Sequence, residues 1–307
     1  MSIGRALLLG ASRSSFLAAQ LKRRAFVGRA VRRFMPGEEL SAALDAAQRL
    51  TAAGLGTVLT QLGENLTSRA DAEAVRAHYL GVLRELQRRG LPAHISVKLT
   101  QLGLDVDREA CERALDAVAA AAETSGSFLW IDMEDSHYTD VTLDIFRRAR
   151  AARSGVGVCL QAYLRRTGAD LDALLPLAPA IRLVKGAYAE PADVAFPRKV
   201  DVDAAYLALG EWLLEHAARG GARPVFGTHD FRLVARLRER AAAFKVPRGS
   251  YEFHLLYGIR DADQRRLASE GETVRVLISY GTAWFAWYMR RLAERPANVW
   301  FVLKNLI

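Results

Sequence analysis

Between Leu55 and Ser279 the chain repeats one cycle eight times: a short β-branched or apolar run, a turn, then a longer amphipathic stretch. That rhythm specifies parallel strands joined by helices, because parallel neighbours need a long crossover and a helix supplies it. The strand candidates are TVLTQ from Thr57, HISVKL from His94, FLWIDM from Phe128, VGVCLQ from Val156, IRLVKG from Ile181, PVFGT from Pro224, YEFHLL from Tyr251 and TVRVLI from Thr273. Eight such strands close into a barrel whose own side chains fill it, so the expected fold is α/β, a distorted (β/α)8 barrel of the TIM type. An open doubly wound sheet is the alternative, weakened because no G-x-G-x-x-G turn follows any strand.

With 307 residues, 51% hydrophobic and 25% charged, the chain can bury one large core. Residues 1–54 are set apart as an N-terminal helical extension, with a helix from Phe34 to Gly54 introduced by Pro36-Gly37, and 55–307 form the barrel and catalytic domain. Gly90 and Gly220-Gly221 stop two of the helices, and the closing NVWFVLKNLI is apolar enough to dock. The longest apolar stretches reach about ten residues where a bilayer span needs about twenty, so a soluble protein is expected. Lys22-Arg23-Arg24 follows the first apolar patch too soon for a secretory signal. Cys111 in a helix and Cys159 in a strand read as buried thiols of a reducing compartment, which places the protein in the cytoplasm. The net charge of +9 is first a solvated, arginine-rich surface. Two narrower uses are neutralising cofactor phosphates and laying the Lys22 to Arg33 cluster on the inner face of an anionic membrane. No basic helix carries interleaved aromatics, which argues against nucleic acid as a partner, and no metal is expected.

Barrel active sites gather at the C-terminal ends of the strands. There the sequence places Glu64, Lys98, Asp132, Gln161, Arg182, Lys185, Thr228, His229 and His254. Any one of these alone is a solvated rim residue or half of a structural pair. Seven strands ending this way point to a polar, functional mouth, because the interior of a purely structural barrel is branched and apolar.

The strings LGE (Leu62 to Glu64), SVKLTQLGLD (Ser96 to Asp105), IDMEDS (Ile131 to Ser136), LQAYLRRT (Leu160 to Thr167), RLVKGAY (Arg182 to Tyr188), THD (Thr228 to Asp230), YEFHLLYG (Tyr251 to Gly258) and RRLAERP (Arg290 to Pro296) occur in the order of the proline dehydrogenase family, which the chain resembles over nearly its whole length. The resemblance implies FAD as cofactor and oxidation of a small cyclic amino acid, L-proline, to 1-pyrroline-5-carboxylate by hydride transfer to flavin N5, with a quinone as electron acceptor. It implies that Lys98, Arg290 and Arg291 hold the substrate carboxylate, that Asp132 holds Lys98, and that Glu64 pairs with one of the arginines in the empty enzyme. On a helix, Glu294 is also within reach of both arginines. The resemblance puts Arg182 near flavin N5, Gln161 and His229 along the isoalloxazine and its linker, and Lys185, Gly186, Thr228 and His254 among the remaining cofactor contacts. Tyr188, Leu183, Leu256, Leu277, Trp287 and Tyr280 are the substrate-pocket positions.

Three positions depart from the family pattern. Leu277, in Leu277-Ile278-Ser279-Tyr280-Gly281, stands where a tyrosine is usual; Trp287 replaces a tyrosine three residues before the arginine pair; and His254 replaces a frequent glutamine. Proline itself and a substituted proline or other secondary amino acid are therefore both open as substrates. Two readings from other classes are a Schiff-base aldolase using Lys98 or Lys185 and a non-catalytic relative. The first leaves the Arg290-Arg291-Glu294 helix without a role, and the second leaves Lys98, Asp132 and Arg182 without one.

Overall fold

The computed structural model describes residues 31–285, 287 and 289. Eight parallel strands follow in chain order and close on themselves: β1 (Gly56–Gln61), β2 (Ala93–Val97), β3 (Leu129–Ile131), β4 (Val156–Gln161), β5 (Ala180–Val184), β6 (Arg223–Gly227), β7 (Glu252–Leu256) and β8 (Val274–Tyr280). The closing seam runs from Gly56 opposite Arg275 to Gln61 opposite Tyr280. The helices are α1 (Leu40–Ala52), α2 (Arg69–Arg89), α3 (Arg108–Thr124), α4 (Thr139–Ala152), α5 (Thr167–Leu174), α6 (Lys199–Ala217), α7 (Phe231–Ala243) and α8 (Asp261–Ser269). No described helix is long and apolar enough to cross a membrane.

Local chemistry sets the element ends. Ser68, Asp107 and Asp230 accept backbone N–H groups at the starts of α2, α3 and α7, supplying partners that a first helical turn lacks. Gly90 ends α2 in the left-handed region at φ 62°. The helix expected from Phe34 begins only at Leu40. Pro36 disfavours helical backbone at Met35, so the chain turns before it winds. Residues 43, 44, 46 and 47 of α1 join the same apolar core as β1, β2 and α2, so a boundary at residue 54 falls within one continuous core. Gly258 is required by a close approach: at φ 70°, a Cβ there would stand 1.6 Å from the Arg33 carbonyl oxygen.

Side chains alternate along each strand, so one set fills the sheet–helix layer and the other the barrel lumen. Leu59, Ile95, Ile181, Leu183, Phe253, Leu255, Val276 and Tyr280 belong to the outer layer. The lower lumen holds Val58, Phe128, Trp130, Ala180 and Val225, with Leu277 against them. It is not purely apolar. Glu252 pairs through Oε1 with Arg223, while its Oε2 takes Arg275 Nε at 2.7 Å and His254 Nε2 at 3.2 Å. Trp130 Nε1 donates to His94 Nδ1 at 3.2 Å, and its ring meets His254 edge-on at 5.5 Å. Two histidines and a carboxylate so close could hold a cation, but the two guanidinium groups already neutralise the only carboxylate.

Burial pushes the His254 imidazole down to about 4 and that of His94 down to about 2. Burial also works against the Glu252 carboxylate, yet His254, Arg275 and Arg223 together hold it well below the usual range. A histidine whose folded value lies below the unfolded 6.5 contributes full stability above that pH and loses it as the pH falls toward the folded value. Between pH 7.5 and 5, His254 therefore accounts for about 2 kcal/mol of lost stability. Urea titrations at the two pH values should show His254→Gln losing less than the parent chain; an equal loss would assign the acid sensitivity elsewhere.

Candidate active site

Above Trp130 the lumen carries a charged ring. The turn after β2 delivers Lys98, β3 ends at Ile131 and delivers Asp132, and β5 delivers Arg182 from its middle. Lys98 Nζ is 3.3 Å from Asp132 Oδ2, and the Arg182 guanidinium donates to Asp132 Oδ1 and, at 2.9 Å, to Ser96 Oγ. Ser96 Oγ donates to Asp132 Oδ1 at 2.8 Å. The Arg182 guanidinium also lies over the Trp130 ring, 5.3 Å from its centroid. Burial raises the Asp132 carboxyl, but Arg182, Lys98 and Ser96 outweigh it and hold it below the usual range. The Arg182 side chain is 6% exposed, so its charge depends on this compensation.

Glu134 follows two residues later and is 4% exposed. Its oxygens accept the Thr100 amide N–H at 3.1 Å and the Thr100 hydroxyl at 2.6 Å. Burial pushes its carboxyl up to about 7 against the lowering by Thr100 and Lys98, with Glu64 adding to the rise. Sequence reading passed over this residue and over Ser96, Thr100, Trp130 and Glu190. Glu134 had a signal, since pleat alternation puts it on the side of Asp132. Glu190 had none: it bonds the Ser136 N–H and hydroxyl at 2.7 and 2.6 Å across 54 residues.

A second group lies along the tips of β4, β5 and β6. Gln161 is 2% exposed and donates Nε2 to the Glu134 carbonyl at 2.6 Å. Lys185 Nζ sits between Asp203 at 2.5 Å and Asp230 at 3.2 Å, and Lys199 and Arg232 pair with the same carboxylates. Gly186 turns the chain at φ 111°, where a Cβ would stand 2.2 Å from the Tyr163 ring. Thr228 is buried, and its hydroxyl accepts the Asp230 N–H at 3.1 Å. His229 Nε2 accepts the Leu256 N–H at 3.1 Å, so the neutral ring carries its proton on Nδ1. The residue that caps α7 is Asp230.

Of the pocket positions, Leu256 and Leu277 face the lumen and are half-buried, Tyr188 is half-buried in the loop after β5, and Trp287 is buried. Two positions face away. Leu183 alternates with Arg182 and joins the sheet–helix core, and the Tyr280 hydroxyl meets His78 Nε2 of α2 at 2.9 Å. His254 lies in the lower lumen beside Glu252, away from the Lys185 tips. Glu64 is half-buried on the loop after β1. Arg290, Arg291 and Glu294 lie outside the described residues, as do the closing apolar segment and the Lys22-Arg23-Arg24 run.

A sequence profile of the family described as "Proline dehydrogenase" matches residues 43–304. Proline dehydrogenase 1 of Bacillus subtilis is 36% identical over 276 residues, covering 90% of each chain. Proline dehydrogenase of Deinococcus radiodurans is 36% identical over 280 residues, covering 90% of this chain and 89% of the relative. Among solved structures, proline utilization A (PutA) from Bdellovibrio bacteriovorus superposes with a TM-score of 0.81 over 94% of this chain at 23% identity, a likeness of fold. The match spans 36% of that longer protein.

Removing the Asp132 charge strands the buried Arg182 and the half-buried Lys98, whereas removing the Ser96 hydroxyl deletes one neutral partner. Asp132→Asn should lower the unfolding free energy by about 3–5 kcal/mol and Ser96→Ala by about 1 kcal/mol. Urea denaturation of both variants checks the ranking, and equal losses would remove charge compensation as its cause.

Proposed function

The chain belongs to the proline dehydrogenase family, and from that premise we propose that it oxidises L-proline to 1-pyrroline-5-carboxylate with FAD as its cofactor. Bound FAD would supply the hydride acceptor, at flavin N5. The observation that carries this reading is the ring of Lys98, Asp132 and Arg182: two cations and one carboxylate leave one positive charge at the mouth of a closed barrel.

The donor set suits both ligands. Arg182 in the middle of β5, Gln161 at the end of β4 and His229 just after β6, on three neighbouring strands, offer N–H groups of the kind that flavin carbonyls and ring nitrogens accept. Lys185, Lys199 and Arg232 face two carboxylates, Asp203 and Asp230, so three cations against two anions leave a positive edge suited to a diphosphate. Lys98 would bind the substrate carboxylate, with Asp132 fixing its ammonium. By resemblance Arg290 and Arg291 would complete that cup, with Glu64 and Glu294 as their partners. Leu256, Leu277 and Tyr188 would wall the substrate and exclude water. The aldolase alternative loses support because Lys98 and Lys185 are both engaged by carboxylates. For the electrons, a quinone acceptor at the inner face of a membrane fits the net charge of +9.

A charge-assisted bond to a carboxylate is worth about 1.5–3 kcal/mol, so Lys98→Ala should raise the KM for proline about ten- to hundredfold while flavin content stays at the parent level. Purified protein should be yellow and should bleach anaerobically with proline more efficiently than with hydroxyproline or pipecolate. Colourless protein that refuses added FAD would overturn the assignment, and a preference for a substituted proline would trace to Leu277 and Trp287. Co-sedimentation with anionic but not neutral liposomes checks the membrane contact.

A further inference from the structure

One buried residue ties together the loops that carry Glu64 and Lys98. The Thr100 hydroxyl donates to Glu134 and accepts the Asn65 N–H at 3.0 Å, while its carbonyl accepts the Leu66 N–H at 3.3 Å. Asn65 immediately follows Glu64 and holds a left-handed backbone at φ 56°, a conformation that needs outside support. Thr100 also opens the short 3-10 turn Thr100–Leu102, two residues past Lys98. Glu134 fills both of its oxygens with Thr100 and gives its carbonyl to Gln161, so the chain of bonds runs from the tip of β1 through β2 and β3 to β4. Thr100 is fully buried, so water does not replace these partners cheaply.

We propose that Thr100 and Glu134 form a positioning latch that sets the Glu64 loop and the Lys98 turn relative to each other, and so sets the affinity for the substrate carboxylate. The carboxylate suits this role because two oxygens can accept from one residue's N–H and O–H together, fixing the turn in orientation as well as distance. Neither latch residue needs to touch substrate; each acts through Lys98 and Glu64. The effect on substrate rests on the function proposed above, whereas the latch itself is a property of the protein without substrate.

The test uses the full-length holoenzyme and three variants. Thr100→Val keeps the volume and removes the hydroxyl, Thr100→Ser keeps the hydroxyl, and Glu134→Gln keeps the shape with one acceptor oxygen. Amide hydrogen exchange at Asn65 and Leu66 reads the latch, and steady-state kinetics with proline reads its consequence. Thr100→Val should speed exchange at both amides at least tenfold and raise KM about tenfold with kcat changed less than threefold; Thr100→Ser should restore both. Glu134→Gln should shift both in the same direction by a smaller factor, and it decides the question if Thr100→Val does not fold. Parent-level exchange and KM in Glu134→Gln and in folded Thr100→Val would overturn the latch, as would kcat and KM failing together. A parent enzyme that exchanges as expected but does not turn over proline would overturn the proposed function and leave the latch standing.

Discussion

The structure depends on the compensation of one carboxylate inside a closed barrel. Asp132, at the tip of β3, must meet Arg182 of β5 and both Ser96 and Lys98 of β2 and its tip at once. A charge in a low-dielectric lumen is tolerated only when its partners are fixed, so the register of β2, β3 and β5 is tied to the electrostatics of the mouth. Trp130 joins this ring to the layer beneath. Its ring takes the Arg182 guanidinium, and its N–H serves His94.

The lower lumen solves the same problem without offering a site. Glu252 is neutralised by Arg223 and Arg275, and the two histidines beside it are kept uncharged by burial. The floor and the upper ring thus each set two cations against one carboxylate, and they differ in place, the ring standing at the C-terminal end of the barrel where the strands of this fold carry their sites. Placement of charge rather than polarity itself separates structure from function, since both layers are rich in ionisable groups.

That distinction explains which residues were legible beforehand. Lys98, Asp132 and Arg182 end or flank strands that pattern alone located, and their convergence follows from closure of the barrel. Leu183 and Tyr280 are pocket positions by resemblance, yet each lies one residue out of phase with a lumen-facing neighbour, and the pleat turns it toward the helices. The sequence pattern puts His254 among the strand-end residues of the mouth, but it sits only two residues from Glu252 and shares its layer. Pleat alternation marks Glu134 only as lying on the side of Asp132; its role lies in what it holds, Thr100, and a partner 34 residues away leaves no mark in local sequence.

The order and nature of the elements were determined by the sequence itself, through period-two apolar runs, long amphipathic crossovers and Ser, Asp and Gly caps, because these preferences act over a few residues. Tertiary structure decided which face each strand presents to the lumen, which carboxylate meets which cation, and which loops share one buried threonine. Those outcomes depend on distances between segments far apart in the chain, and such distances exist only once the barrel has closed.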